Sequence, residues 1–252
     1  RVGLGLRKVL LQMVSNIELK KQAKKVTIKI PRLMVHLNAL AMLFGGVAAF
    51  SARDIGVEPL IIQGARQVGK TYLMKQFGAE EFRHVAYFNF ESQPSLARVF
   101  EKDLSPQTII GSLKLLSDAV IEPEHTLIIF DEIQACPKAL TALKYFHENT
   151  PEYPILAAGS LLGVALHRGV SFPVGKVDFL QLHPFDFIEF LHVTGNEKWA
   201  EVLLTCNWEQ QEPVAQELIG LLKKYLLVGG MPEVAVNFGM SGDLKEARSI
   251  QE

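Results

Sequence analysis

Cysteine is scarce in this chain of 252 residues, and several familiar metal-binding motifs are missing from it. The two cysteines, Cys136 and Cys206, exclude a disulfide framework and a zinc site with four cysteine ligands. The histidines show no H-E-x-x-H spacing, which disfavours a metal site built from them. The composition, 48% hydrophobic and 21% charged, is that of an ordinary globular protein.

Neither positive nor negative charge is in large excess, since the formal net charge is -1. The balance hides an asymmetry: residues 1–32 hold nine Lys or Arg and one acid, whereas residues 33–252 hold 17 Lys or Arg and 26 acids. The bulk of the chain therefore has no overall field that would attract nucleic acid. Such a role would lie in the basic arm or in a part outside this sequence.

The amino-terminal region, residues 1–53, is treated as an extension of uncertain structure. The chain begins with Arg1, so we expect a fragment or a processed chain. Residues 33–50 form an apolar run that is just long enough for a membrane span. Three interpretations stay open: a buried helix or aberrant extension, a membrane anchor, and a cleaved signal peptide.

The most specific motif follows a short apolar run, residues 59–63, which predicts a buried strand. The pattern G-x-x-x-x-G-K-[ST] is matched without exception by Gly64, Ala65, Arg66, Gln67, Val68, Gly69, Lys70 and Thr71. A helical pattern follows and is expected to stop at Gly78. Amides of such a loop cradle phosphates, the lysine reaches the terminal phosphates, and the Thr hydroxyl ligates magnesium.

A second apolar run, residues 126–130, ends in two acids, Asp131 and Glu132. This pattern predicts a strand buried on both faces of a parallel sheet, with Asp131 at its carboxyl end. We expect Asp131 to hold magnesium, directly or through water. Glu132 is then the expected general base that polarises the attacking water.

A third apolar run, residues 154–159, ends before Ser160. Ser160 is a candidate for contacting the γ-phosphate or the water, and a plain helix N-cap is the alternative. Arg168 is the candidate cation that neutralises charge in the transition state, and Arg66 could instead reach a neighbouring subunit. No N-K-x-D sequence occurs, which disfavours a guanine-specific GTPase and leaves adenine as the default base.

The order of these segments predicts an α/β fold: a three-layer P-loop NTPase with a parallel sheet, followed by a small helical segment. Further strands are expected at residues 85–90 and 177–182. Helices are expected over roughly 94–119, 137–149, 185–191, 199–204 and 212–227, with another segment starting at residue 231. The expected core covers residues 54–183, and the helical part covers residues 184–252.

Four segments together resemble the prokaryotic AAA-type ATPases of the AAA_14 family: GARQVGKT, LIIFDEIQACPKALTALKYF, LAAGSLLGVALHRGVSFPVGKVDFLQLHPFDFIEFL and KYLLVGGMPEVA. The resemblance runs from about residue 58 to residue 252. It implies an ASCE-type fold with an extra strand between the phosphate loop strand and the acidic strand, and it implies ATP binding with hydrolysis. Family members usually continue into a C-terminal DUF4143 domain, which we expect to lie outside this sequence together with any nucleic-acid or effector function it houses.

The sequence thus leads to an Mg²⁺-dependent ATPase in which hydrolysis drives a conformational change. One alternative is a nucleotide-gated binding or regulatory module with little or no hydrolysis. A P-loop kinase acting on a small molecule is a third class. The expected cofactors are ATP and Mg²⁺, the expected partners are further copies of the chain and an unidentified protein or nucleic acid, and the expected location is cytoplasmic.

Overall fold

The structure is a computed structural model that describes residues 59–101, 103–160, 176–204 and 214–251. These residues fall into two compact units, of which the first ends at His183 and the second begins at Pro184. The predictions made for residues 1–53, including the apolar run 33–50, lie outside the described residues. Within the described ranges, no helix combines the length and the apolar character that a membrane crossing requires.

The first unit is built on a sheet of five parallel strands. In chain order these are β1 (Leu60–Gln63), β2 (His84–Asn89), β3 (Thr126–Asp131), β4 (Ile155–Gly159) and β5 (Asp178–Gln181). Their order across the sheet is β2-β3-β4-β1-β5. The strand β4 therefore lies between β1 and β3, as the family resemblance implies. The predicted α/β class with a parallel sheet is confirmed.

The position of each strand in the sheet matches its sequence. Every residue of β3 and β4 is buried, which explains their continuous apolar runs, because a central parallel strand is covered on both faces. The edge strand β5 is largely exposed, and polar residues, Asp178 and Gln181, stand at its two ends. Parallel register brings the carboxyl ends of β2 and β3 level, since Asn89 lies beside Asp131.

Helices follow the strands in the pattern of a layered α/β fold. The first unit contains α1 (Lys70–Glu81), α2 (Pro106–Leu116) and α3 (Pro137–Asn149), with 3₁₀ turns at Pro94–Phe100 and Ile133–Ala135. Proline stands at the start of α2 and of α3, where its missing N–H has no helical partner to lose.

Apolar side chains pack on both faces of the sheet. On one face, Ile128 and Phe130 of β3 join a core that includes α2, α3 and a cluster of phenylalanine rings. On the other face, α1 packs against β2, β3 and β4. The sheet is therefore the middle of three layers.

The predicted stop of α1 at Gly78 is wrong, because the helix continues to Glu81. Gly78 is buried, and a β-carbon placed on it would lie 2.7 Å from a methyl group of Val85 and 3.2 Å from one of Leu127. Glycine is needed here so that α1 can approach the sheet closely. It is a packing residue within the helix.

The second unit is helical in its described part. Its helices are α4 (Phe187–Val193), α5 (Glu197–Leu204), α6 (Ala215–Val228), α7 (Pro232–Ser241) and α8 (Leu244–Gln251). A capping box starts α4, where Asp186 and Glu189 each bond the other's backbone N–H. Gly229 ends α6, as the sequence predicts.

Candidate nucleotide-binding site

The predicted phosphate loop connects β1 to α1 at the carboxyl end of the sheet, where ligands bind in open α/β folds. Gly69 precedes the helix with φ of 88°, a left-handed conformation that favours glycine. Gln67 is also left-handed, with φ of 65°, which is strained for a residue with a side chain. The loop therefore holds a shape that an ordinary helix entry does not need. The helical N–H groups that follow it have no intrahelical partner.

Gly64 opens the loop under tight packing. A β-carbon there would overlap the carbonyl oxygen of Leu182, which follows β5. The N–H of Leu182 donates to the carbonyl of Gln63 over 2.7 Å, so the backbone approach is locked. The structure thus requires glycine at position 64, because the Leu182 carbonyl leaves no room for a β-carbon. The sequence motif alone does not identify this contact.

Lys70 is buried, with only 6% of its surface exposed. Its ammonium Nζ donates to the carbonyl oxygens of Gly64 at 3.0 Å and Ala65 at 2.7 Å. Burial lowers the pKa of Lys70, and the negative charges of Glu132 and Asp131 act in the opposite direction. The cation is therefore held inside the loop, beside the region that a bound phosphate would occupy.

Thr71 and Asp131 meet although they come from separate segments. The Thr71 hydroxyl Oγ1 donates to Asp131 Oδ2 over 2.6 Å. Asp131 is 1% exposed, and its Oδ1 accepts the N–H of Glu132 over 2.9 Å. A threonine hydroxyl next to a carboxylate is an all-oxygen donor set, which suits a hard cation such as Mg²⁺. Elsewhere in the described chain, no group of three or more His, Cys, Asp or Glu residues could hold a metal ion.

Two residues of β2 belong to this site and were not predicted. The phenol of Tyr87 donates to Asp131 Oδ2 over 2.8 Å, and Asn89 Nδ2 donates to the Tyr87 oxygen over 3.3 Å. Burial, aided by the hydrogen bond and charge of Asp131, raises the pKa of Tyr87 to about 12. The available signal was the polar residues that alternate with apolar ones in VAYFN, at the end of a strand adjacent to β3.

Glu132 follows Asp131 in a left-handed conformation, with φ of 51° and ψ of 44°. Its Oε2 accepts a hydrogen bond from Nε2 of Gln134, another residue that the sequence analysis did not single out. The other amide atom, Gln134 Oε1, is buried and has no hydrogen-bond partner within the described ranges. The expected base is therefore held by an amide two residues further along the chain.

The remaining predicted residues are placed unequally. Ser160 directly follows β4, and its Oγ is buried without a hydrogen-bond partner from the described chain. Arg66 is an exposed loop residue whose guanidinium lies 3.3 Å from Glu91, in the loop after β2. Arg168 and the proposed helix after Ser160 lie outside the described residues. Ala65 is exposed and Val68 is fully buried.

Comparison with protein families gives a match to the AAA_14 model, described as an AAA domain, over residues 57–191, more than half of the chain. The chain belongs to the AAA_14 family. The resemblance seen in the sequence is thereby confirmed. The AAA_14 domain is a nucleotide-binding domain of ATPase type, and the loop, the acidic strand and Ser160 all lie within the matched range.

The similarity of this chain to solved structures is low. The Aeropyrum pernix ORC2 protein in ADPNP–ADP complexes has a TM-score of 0.39 and 16% identity, over 70% of this chain and 54% of that one. Drosophila ORC bound to DNA has a TM-score of 0.44 and 15% identity, over 83% and 60%. C. elegans PCH-2 has a TM-score of 0.37 and 15% identity, over 64% and 44%. The AAA_14 chain thus spans about half the length of the chains it resembles, and no curated protein matches it.

Proposed function

We propose that this AAA_14 chain binds ATP with Mg²⁺ and hydrolyses the terminal phosphate, and that hydrolysis drives a conformational change. The observation that carries the proposal is the hydrogen bond between Thr71 and Asp131, beside the buried ammonium of Lys70. The Lys70 ammonium, the Thr71 hydroxyl and the Asp131 carboxylate therefore lie close to the start of α1. These are the groups that a nucleoside triphosphate and its metal ion require.

Each residue has a distinct part in this proposal. The backbone amides of residues 64–71 hold the phosphates, and Lys70 leaves its loop carbonyls to reach the terminal ones. Thr71 and Asp131 would hold Mg²⁺, which when bound would supply positive charge to neutralise the phosphates. Glu132 takes a proton from the attacking water.

Ser160 and two arginines complete the proposed site. The Ser160 hydroxyl, which has no hydrogen-bond partner among the residues that the structure describes, would contact the γ-phosphate or the water. In an assembly of identical chains, an arginine of one copy would stabilise the transition state in the next. Arg66 fits that part because it is exposed and its ion pair with Glu91 is on the surface and weak. Arg168 is the second candidate.

We further infer a division of labour along the chain. Residues 54–183 would carry the ATPase core, and residues 184–252 would be the helical part of the AAA region. A protein or nucleic-acid partner would be engaged through a further domain of the DUF4143 type. These assignments follow from the family resemblance and from the placement of every described site residue in the first unit.

A nucleotide-gated module with little hydrolysis is the second candidate. The observation that favours it is the hydrogen bond from Gln134 to Glu132, which engages the expected base. In this version the bound nucleotide changes the state of the protein, and turnover is slow until that hydrogen bond is broken.

One experiment separates the two. Steady-state ATP turnover with Mg²⁺ and binding of a fluorescent ATP analogue are measured for the wild type, Glu132→Gln and Glu152→Gln. Glu152 serves as the control, because it is exposed and lies just before β4, at the amino-terminal edge of the sheet and away from the site. Loss of a general base should lower turnover by about 100-fold or more in Glu132→Gln while ATP still binds. Binding without turnover in all three proteins supports the gated module, and absence of binding contradicts both candidates.

A further inference from the structure

The Asp131 carboxylate is held by donors from three directions. Oδ2 accepts from the Thr71 hydroxyl and the Tyr87 phenol, and Oδ1 accepts from the backbone N–H of Glu132. The group is almost completely buried, and a buried carboxylate is tolerated only when hydrogen bonds replace its hydration. Of these donors, the Tyr87 phenol is the only one that comes from neither the phosphate loop nor the acidic strand. It is therefore an addition to the site by β2.

The direction of the Tyr87 hydrogen bond is fixed by Asn89. The side-chain oxygen Oδ1 of Asn89 accepts the backbone N–H groups of Glu91, at 3.0 Å, and Ser92, at 2.8 Å. The amide nitrogen must then face Tyr87, and it donates to the phenol oxygen. Since that oxygen accepts from Asn89, its own proton is free to point at Asp131.

The phenol oxygen of Tyr87 lies between two polar partners, since it accepts from the Asn89 amide and donates to the Asp131 carboxylate. The ammonium of Lys75 lies 3.9 Å from the ring centroid, a contact that does not involve the hydroxyl. Tyr87 thus offers to one oxygen of the carboxylate a hydroxyl whose direction is set by Asn89.

We propose that Tyr87 is a positioning residue that holds the Asp131 carboxylate in the orientation needed to bind the divalent cation together with Thr71. This inference rests on the proposed function of the site. A cation at the Thr71 oxygen would leave the Thr71 proton for Asp131, and Tyr87 would keep the same carboxylate oxygen in place. Without the phenol, the carboxylate loses one of its three donors and is held less firmly in that orientation. Partners of this kind typically change metal affinity by about 10- to 100-fold.

The test compares Tyr87→Phe with two controls. Tyr87→Phe deletes the hydroxyl and keeps the ring. Lys75→Met removes the other partner of the ring and leaves the hydroxyl. Tyr153→Phe deletes a phenol just before β4, at the amino-terminal edge of the sheet, opposite the site. Binding of a fluorescent ATP analogue is titrated with Mg²⁺ from a metal-free start, and thermal unfolding is recorded for each protein.

We expect Tyr87→Phe to raise the Mg²⁺ concentration at half-saturation by about tenfold, equal to about 1.4 kcal/mol. Binding of the analogue without Mg²⁺ should change little in the same variant. Both controls should keep the Mg²⁺ requirement of the wild type. This pattern assigns the effect to the hydroxyl and to the metal, and it does not depend on measuring turnover.

Three results would overturn the inference and leave the proposed function standing. They are an unchanged Mg²⁺ requirement in Tyr87→Phe, an equal loss of binding with and without Mg²⁺, and a shift of the same size in Lys75→Met. Loss of cooperative unfolding in Tyr87→Phe also rejects it, since the hydroxyl would then be structural. A wild type that binds no ATP analogue, or binds it without regard to Mg²⁺, rejects the proposed function and the inference with it.

Discussion

The hydroxyl of Thr71 lies 2.6 Å from a carboxylate oxygen of Asp131, and 60 positions of sequence separate the two residues. One of them belongs to the first turn of α1 and the other ends β3, so this bond links the phosphate loop to the acidic strand. The strand before Thr71 is β1 and the strand that contains Asp131 is β3, and these two strands do not pair with each other.

Replacement of Lys70 by Ala should abolish nucleotide binding. The ammonium is the buried cation of the loop, and charged hydrogen bonds of this kind support an expected loss in ATP affinity of at least about 100-fold. Titration with a fluorescent ATP analogue measures the effect. Lys114→Ala, at an exposed position of α2, should bind normally. Tight ATP binding by Lys70→Ala would sink the assignment of the site.

Gly64→Ala should destabilise the protein, because the added methyl group overlaps the Leu182 carbonyl. We expect the free energy of unfolding to fall by about 1–3 kcal/mol, as is typical when a packed position is overfilled. Gly111→Ala is the matched control, since Gly111 lies within α2 and a methyl group there meets nothing within 4 Å. That control should raise the unfolding free energy by about 0.5–1 kcal/mol. Equal effects in urea denaturation would contradict this explanation.

Gln134→Leu should raise ATP turnover. The substitution removes the amide that holds Glu132, and it also removes an acceptor that is buried and unpaired within the described chain. A typical hydrogen bond contributes about 1 kcal/mol, so we expect turnover to rise by about fivefold, with nucleotide affinity unchanged. Steady-state kinetics measures the change. A fall in turnover would instead make Gln134 a residue that orients the base productively.

The alkaline titration of Tyr87 should follow its environment. Because the folded pKa, about 12, exceeds the ordinary value of 10.0, the unfolded chain releases this proton first. The stabilising contribution is therefore complete below about pH 10 and is lost as pH rises through about 12. Absorbance of the phenolate gives the titration, and urea denaturation gives the stability.

Tyr87→Phe should lose less stability over this alkaline range than the wild type does. Tyr145→Phe, in α3, is the control, because it also removes one phenol from the chain. A wild-type chain in which the Tyr87 contribution titrates at the ordinary value would contradict the buried, Asp131-bound environment.

Local sequence was sufficient for most elements of the first unit. The run before Asp131 is apolar at every position because β3 is covered on both faces, and proline marks the start of α2 and of α3. The phosphate loop can be identified from the sequence because its glycines and its lysine stand at fixed spacing. The prediction that α1 stops at Gly78 was wrong because a glycine that ends a helix and a glycine that packs a helix against a sheet look alike in sequence.

The contacts between strands were beyond local sequence. Tyr87 and Asn89 reach the site only because β2 pairs with β3 in parallel register. The Leu182 carbonyl limits Gly64 only because β5 pairs with β1. Gln134 differs, since it lies three positions after Asp131 and depends on the left-handed turn at Glu132. In each case the missing information was the geometry that brings a polar atom to a known motif.

The placement of β4 between β1 and β3 has a consequence for how the chain is made. Both nucleotide motifs leave the ribosome before their spacer does, because residues 155–159 follow them in the sequence. A chain stalled before Ile155 would possess every motif and no binding site. Nucleotide capture therefore has to wait for β4, and nascent chains of increasing length would acquire it only once this strand has been inserted between the other two.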